Sequence, residues 1–158
     1  GLLNQNAHLF FGSVRENLTL GSPLATDQEL LNVLKLTGAL NFVLDKKEGL
    51  DHQILEGGVG FSGGQRQALL LSRLLLRQPN ILLLDEPTAA IDDVSEKQLI
   101  QNLKGWLGQK TLVIATHRRA VLELVDRIIV VHDGKIVMDG PKEQVLGNTQ
   151  TNIASTAS

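Results

Sequence analysis

Two adjacent acids and one histidine stand where chemistry is easiest to place. Asp85 and Glu86 close the apolar run that starts at Ile81, and His117 closes a second run, "TLVIATH", that starts at Thr111. If both runs are strands of an open parallel sheet, their carboxyl ends share the edge at which such sheets bind ligands, and the three side chains meet there. Neighbouring carboxylates raise each other's proton affinity unless a cation or a division of roles separates them. A divalent metal held by one acid and a water activated by the other resolves the conflict. The plain alternative is a turn in which Pro87 merely stops the strand, with a histidine that only caps or faces solvent.

A second constellation precedes the acids. Ser62 and Gln65 have the S-x-x-Q spacing of a capping box, in which the serine oxygen accepts one orphan amide and the glutamine returns to the cap amide. Capping accounts for both polar residues but not for Gly63 and Gly64 between them, since each glycine costs up to about 1 kcal/mol relative to alanine inside a helix. A helix N-terminus offers free N–H groups and the positive end of the helix dipole, and glycines let a bulky anion reach that backbone. Ser62, Gly63 and Gly64 are therefore candidate phosphate ligands. The same stretch also spells G-x-S-x-G, the nucleophile elbow of α/β hydrolases, with Asp85 or Asp92 and then His117 following in Ser-Asp-His order. The elbow needs a strong strand directly before its serine. Glu56-Gly57-Gly58-Val59-Gly60 is a poor strand, and no HGGG-type segment precedes it.

The elements that must position these residues are legible from periodicity. Thr26 and Glu29 have capping-box spacing, and Leu30, Val33, Leu34, Leu40 and Val43 keep a helical period, which predicts a helical segment over residues 16–45. "KKEGLDHQ" is a polar loop. From Leu69 to Leu76 leucines cover most of a helix surface, so that helix is buried on more than one side, and Gln78-Pro79-Asn80 stops it. "ILLLD" and "TLVIATH" read as strands buried on both faces, and Leu99, Ile100, Leu103 and Leu107 place a helix between them. That strand–helix–strand unit makes the sheet at least partly parallel. "RIIVVHDGKIVMDG" predicts a hairpin turning at Asp133-Gly134. Asn148 to Ser158 is a polar tail expected to fray.

Bulk properties narrow the classes. With 158 residues the chain is one domain by length, and such a chain buries about 68–70% of its extended surface. A net charge of −2 gives no basic field for nucleic acid, and the absence of cysteine excludes disulfides and thiolate metal sites, which suits a reducing compartment. The longest apolar stretch, Ala68 to Leu76, is far short of the roughly 20 residues that span a bilayer. No secretory signal is visible at the amino terminus.

Taken together, "FSGGQRQALLLSRLLLRQPNILLLDEPTAAID" resembles the nucleotide-binding domain of ABC transporters: the signature motif, the Walker B strand and the D-loop in unbroken order. "NQNAHLFFGSVRENL" resembles the Q-loop, with Gln5, and "EGGVG" the exporter X-loop, with Glu56. "ATHR" resembles the switch-histidine loop, and "DRIIVVHDGKIVMDGPKEQVL" the hairpin and short helix that close such domains. The resemblance implies an α/β fold, a partial P-loop NTPase-type core with parallel strands, a helical subdomain over about 13–78, and a part over 79–147 that runs from Walker B to the terminal hairpin and helix.

The resemblance also implies roles. Asp85 would help hold magnesium (Mg2+) through water, with Gln5 touching the metal; Glu86 would polarise the attacking water; His117 would contact the γ-phosphate of ATP. Ser62, Gly63, Gly64 and Gln65 would embrace the γ-phosphate of ATP on a second nucleotide-binding domain, in a head-to-tail homodimer with Asp92 at the interface. Transmembrane domains would be the other partner, on the cytoplasmic face of the bacterial inner membrane. The carboxy-terminal third is most similar to exporters of type I protein secretion, whose periplasmic adaptor and outer-membrane components would then join the parent assembly. The alternatives are a soluble ABC-type ATPase of DNA repair or translation, and a non-catalytic fragment.

This sequence departs from the family pattern in four places. Phe61 stands for the usual leucine, Ala68 where many members carry arginine, and Ala89 for a common serine. No G-x-x-x-x-G-K-[ST] occurs, so the lysine and glycine cradle for the β- and γ-phosphates is not in these residues. The expectation is a truncated domain that by itself binds ATP weakly and hydrolyses it negligibly, with an active parent, since Asp85 and Glu86 are both retained.

Overall fold

Local signals in the chain account for most of the elements in the computed structural model, which describes residues 1–147; the polar tail expected over 148–158 lies outside them. The chain divides into a first unit, Gly1–Ala120, and a second beginning at Val121. Within the first unit, the expected helical segment is three helices: α1 (Val14–Thr19), α2 (Asp27–Thr37) and α3 (Leu40–Leu44). Thr26 and Glu29 form the expected capping box at the start of α2, and Ser13 and Glu16 form a second at the start of α1. The breaks have local causes. Pro23 sits in the linker between α1 and α2, and Gly38, at φ 78°, ends α2 in the left-handed conformation.

A short antiparallel pair, β2 (Gly12–Ser13) with β3 (Gln53–Ile54), closes this helical part. Its core is Leu9, Val14, Leu18, Leu30, Leu34 and Ile54, with Leu69 entering from α4 (Gly63–Leu76). As the leucine pattern requires, α4 is enclosed on several sides. It meets α2 through a buried hydroxyl pair, Thr37 Oγ1 and Ser72 Oγ at 2.7 Å. Arg73 of α4 donates to the carbonyl of Asn17 (2.8 Å), to its side-chain oxygen (2.7 Å) and to the carbonyl of His8 (3.2 Å), which ties the helix to the segment following Gln5.

The sheet is parallel, in the order β1 (Leu2–Leu3), β4 (Ile81–Asp85), β5 (Thr111–Ala115). Leu3 is in register with Leu84, and Asp85 with Ala115. Helix α5 (Asp93–Leu107) makes the expected crossover between β4 and β5. On one face of the sheet Leu3, Leu82 and Leu84 are buried, while Leu2, Ile81, Leu83 and Val113 are exposed. The strands expected to be buried on both faces are thus covered on one. β5 also stops at Ala115, two residues before the predicted end.

In the second unit, β6 (Arg127–His132) and β7 (Lys135–Pro141) form the predicted antiparallel hairpin, with Asp133 (φ 48°) and Gly134 (φ 72°) at its turn. Both positive φ values match a type I′ turn, which suits the twist of a two-residue hairpin. Arg127 clamps the far end by donating two 2.8 Å hydrogen bonds to Asp139. Residues 142–147 are helical, as expected.

Candidate functional site

Parallel register puts three chain segments side by side. Gln5 lies in the turn directly after β1, Asp85 and Glu86 end β4, and Thr116 and His117 follow β5, all at the carboxyl edge of the sheet. Glu86 continues the pairing one step beyond the strand, its N–H donating to the carbonyl of Ala115 at 2.9 Å. It does so with φ 46°, a region that costs a residue with a side chain free energy and that concentrates at functional sites. The turn is fixed from its other side as well. The carbonyl of Glu86 accepts from the Gln67 side chain of α4 at 3.2 Å.

That backbone geometry aims the Glu86 carboxylate at the loop after β5. One oxygen, Oε1, accepts from the His117 backbone N–H (3.1 Å) and lies 2.6 Å from His117 Nδ1; the other, Oε2, accepts from the Thr116 hydroxyl at 3.2 Å. A carboxylate only accepts, so Nδ1 carries the proton and Nε2 is left as the free face of the imidazole. His117 is 79% exposed and Glu86 18% exposed, so the ring stands in solvent over a half-sunk acid. Three donors leave one of the four acceptor positions of the carboxylate open, on Oε2, which is enough to take a proton from water. Of the two acids, Glu86 is engaged by the His117 loop and Asp85 is not. A lone carboxylate at Asp85, with Gln5 on the neighbouring segment, offers few oxygens, which would suit magnesium that brings most of its ligands with it rather than an ion caged by protein. The described residues hold no group of three or more His, Cys, Asp or Glu arranged to bind a metal.

The second constellation lies at the start of α4, the helix whose Gln67 holds the Glu86 carbonyl. Ser62 caps α4 as predicted: its hydroxyl accepts from the Gln65 N–H at 3.2 Å, and its own N–H donates to Gln65 Oε1 at 2.9 Å. Gly63 and Gly64 face the loop between β4 and α5. A Cβ on Gly64 would lie 2.8 Å from the Ala90 carbonyl oxygen and 2.9 Å from Ile91 Cγ2, and one on Gly63 would lie 3.3 Å from the Ala90 methyl. An intramolecular reason for bare backbone thus exists beside the phosphate reading: α4 and this loop approach too closely for a side chain. Asp92, at the end of the same loop, caps α5, accepting from the N–H groups of Val94 and Ser95 at 3.0 Å and from the Ser95 hydroxyl at 2.7 Å. The Ser95 hydroxyl is the main reason its carboxyl sits below the usual range.

The hydrolase alternative fails here. The residues before Ser62 form a 3-10 turn at Glu56–Gly58 and no strand, Ser62 has an unstrained φ of −64°, and its hydroxyl is engaged in capping. His117 is bonded to Glu86. Sequence reasoning missed Thr116 and Gln67, which hold Glu86 in place. Thr116 sits inside the quoted "ATHR" and was within reach; Gln67 acts through tertiary contact alone.

An ABC transporter family model matches residues 1–89. The chain belongs to the ABC transporter family. It is 38% identical over 146 residues to a candidate multidrug export ATP-binding/permease protein of Staphylococcus aureus (strain bovine RF122 / ET3-1), covering 92% of this chain and 25% of that protein. A counterpart in Staphylococcus aureus strain NCTC 8325 is 37% identical with the same coverage. The solved structure of a bacterial Atm1-family ABC exporter with ATP bound matches with a TM-score of 0.87 at 25% identity, over 100% of this chain and 28% of that one. The chain spans about a quarter of the length of the curated relatives it matches.

Proposed function

We propose that these residues belong to the ATP-binding and ATP-hydrolysing part of an ABC exporter, working at the cytoplasmic face of the membrane with transmembrane domains and a second nucleotide-binding domain. The observation that carries the reading is the Glu86–His117 pair beside Asp85 at the carboxyl edge of a parallel sheet in a member of this family. In this reading Glu86 takes the proton of the attacking water through Oε2, and its bonds to Thr116 and His117 orient it. His117, with Nδ1 held by Glu86, turns Nε2 toward the γ-phosphate and would donate to it once Nε2 also carries a proton. Magnesium, held from Asp85 and Gln5 through water, would neutralise phosphate charge. Ser62, Gly63, Gly64 and Gln65 offer α4's N-terminal amides to a nucleotide on the partner domain, with Asp92 near the interface.

The test is a Glu86→Gln substitution in the protein expressed as its complete coding sequence. An amide cannot accept the proton, so ATP binding should persist while phosphate release falls by roughly 100-fold or more. Unchanged turnover would remove Glu86 from the role of base. These 158 residues alone, without a phosphate-cradling lysine loop, should show negligible turnover.

For the cargo, the sequence of the "ATHRRAVLELVD" segment and the hairpin supports type I protein secretion, and the names of the matched relatives support multidrug export. Stimulation of the ATPase separates the two. A secreted unfolded polypeptide should stimulate an exporter of the first kind, and small amphipathic compounds one of the second.

A further inference from the structure

We propose, on the basis of the ATPase reading above, that Arg118 is a positioning residue for the reaction, whose guanidinium locks the loops carrying Glu86, Asp92 and His117 onto the first turn of α5. Glu96, in that turn, is a buried carboxylate, its side chain only 4% exposed. A charge so placed must be paired. Arg118, 22% exposed, pairs it: Nη2 donates to Oε2 at 2.9 Å, and Nε lies 2.7 Å from Oε1 as an ion-pair contact that leaves Oε1 without a hydrogen bond. The same Nη2 donates to Asp93 at 2.8 Å. Nη1 faces the carbonyls of Thr88 and Ile91, at 3.5 and 3.4 Å, inside the loop that joins Glu86 to Asp92.

The backbone of Arg118 completes the arrangement. Its N–H donates to the Thr116 hydroxyl at 3.0 Å, and that hydroxyl donates to Glu86 Oε2 at 3.2 Å. One residue therefore contacts the loop after β4 through its side chain and the loop after β5 through its main chain. An ion pair needed for stability alone would not require this, because volume-matched apolar residues often replace a buried pair without loss. They cannot replace the planar fork that reaches the two loop carbonyls.

That difference supplies the experiment. In the complete protein, the double variant Arg118→Met/Glu96→Leu should melt at or above the wild-type temperature. Its kcat for ATP should drop roughly 10- to 100-fold, as expected of displaced reacting groups, with KM within about twofold. A folded double variant with wild-type kcat overturns the proposal. Should that variant not fold, Arg118→Lys keeps the charge beside Glu96 but not the fork; reduced kcat at unchanged KM supports the positioning role, and wild-type kcat overturns it. Absence of turnover in the wild-type protein would instead refute the ATPase reading on which the proposal rests.

Discussion

At the scale of the residue, Gly64 gives the sharpest test of what holds the signature segment together. A methyl at that position would sit 2.8 Å from a backbone oxygen of Ala90, which cannot swing aside as a side chain end could. Gly64→Ala is expected to lower stability by about 1–3 kcal/mol, the usual range for overpacking, even without nucleotide. Gly63→Ala, whose methyl would meet only the Ala90 methyl at 3.3 Å, should cost less. Denaturant melts of the two variants check the order, and equal stability to wild type would leave phosphate access as the sole reason for both glycines. Glu86 belongs to the same scale. Its strained φ of 46° is kept because the surroundings fix the turn from both ends, by Ala115 on one side and Gln67 on the other.

Helix starts dominate at the scale of the element. The N-cap boxes of α1 and α2 hold Glu16 and Glu29 below the usual carboxylate range, mainly through the backbone N–H of Ser13 and of Thr26 respectively. Asp92 is held low by Ser95 at the start of α5. Their depressed values in the folded state mean a stabilisation that is fully present above the unfolded carboxylate pKa near 4 and lost as pH falls through the folded values. Thermal melts should therefore be flat from pH 7 to about 5 and fall below about 4. Removing the Asp92 cap by Asp92→Ala should reduce that acid dependence and lower stability, whereas Asp92→Asn should retain most of the cap. A melt series across pH on the three proteins decides it.

At the scale of the whole molecule, the sheet leaves Leu2, Ile81, Leu83 and Val113 exposed on one face. Uncovered apolar sheet surface drives association. The 158-residue chain is expected to self-associate at micromolar concentration, and Leu83→Lys with Val113→Lys to make it more monodisperse, as light scattering would show. No helix among the described residues is long and apolar enough to cross a membrane.

How much of this the sequence determined by itself divides along physical lines. Capping boxes, the hairpin turn at Asp133-Gly134 and the crossover helix were legible because each is a local pattern, a spacing along the chain that one helix turn or one turn type demands, and the acid-histidine edge followed from the parallel sheet that the crossover implies. The Ser13–Glu16 box has that same spacing. Tertiary structure alone decided that Gly64 is needed by Ala90, that Gln67 holds the Glu86 turn, and that Arg118 pairs Glu96. Those contacts join residues that lie far apart in sequence or on different elements, and a spacing along one chain segment carries no information on which backbone will approach it.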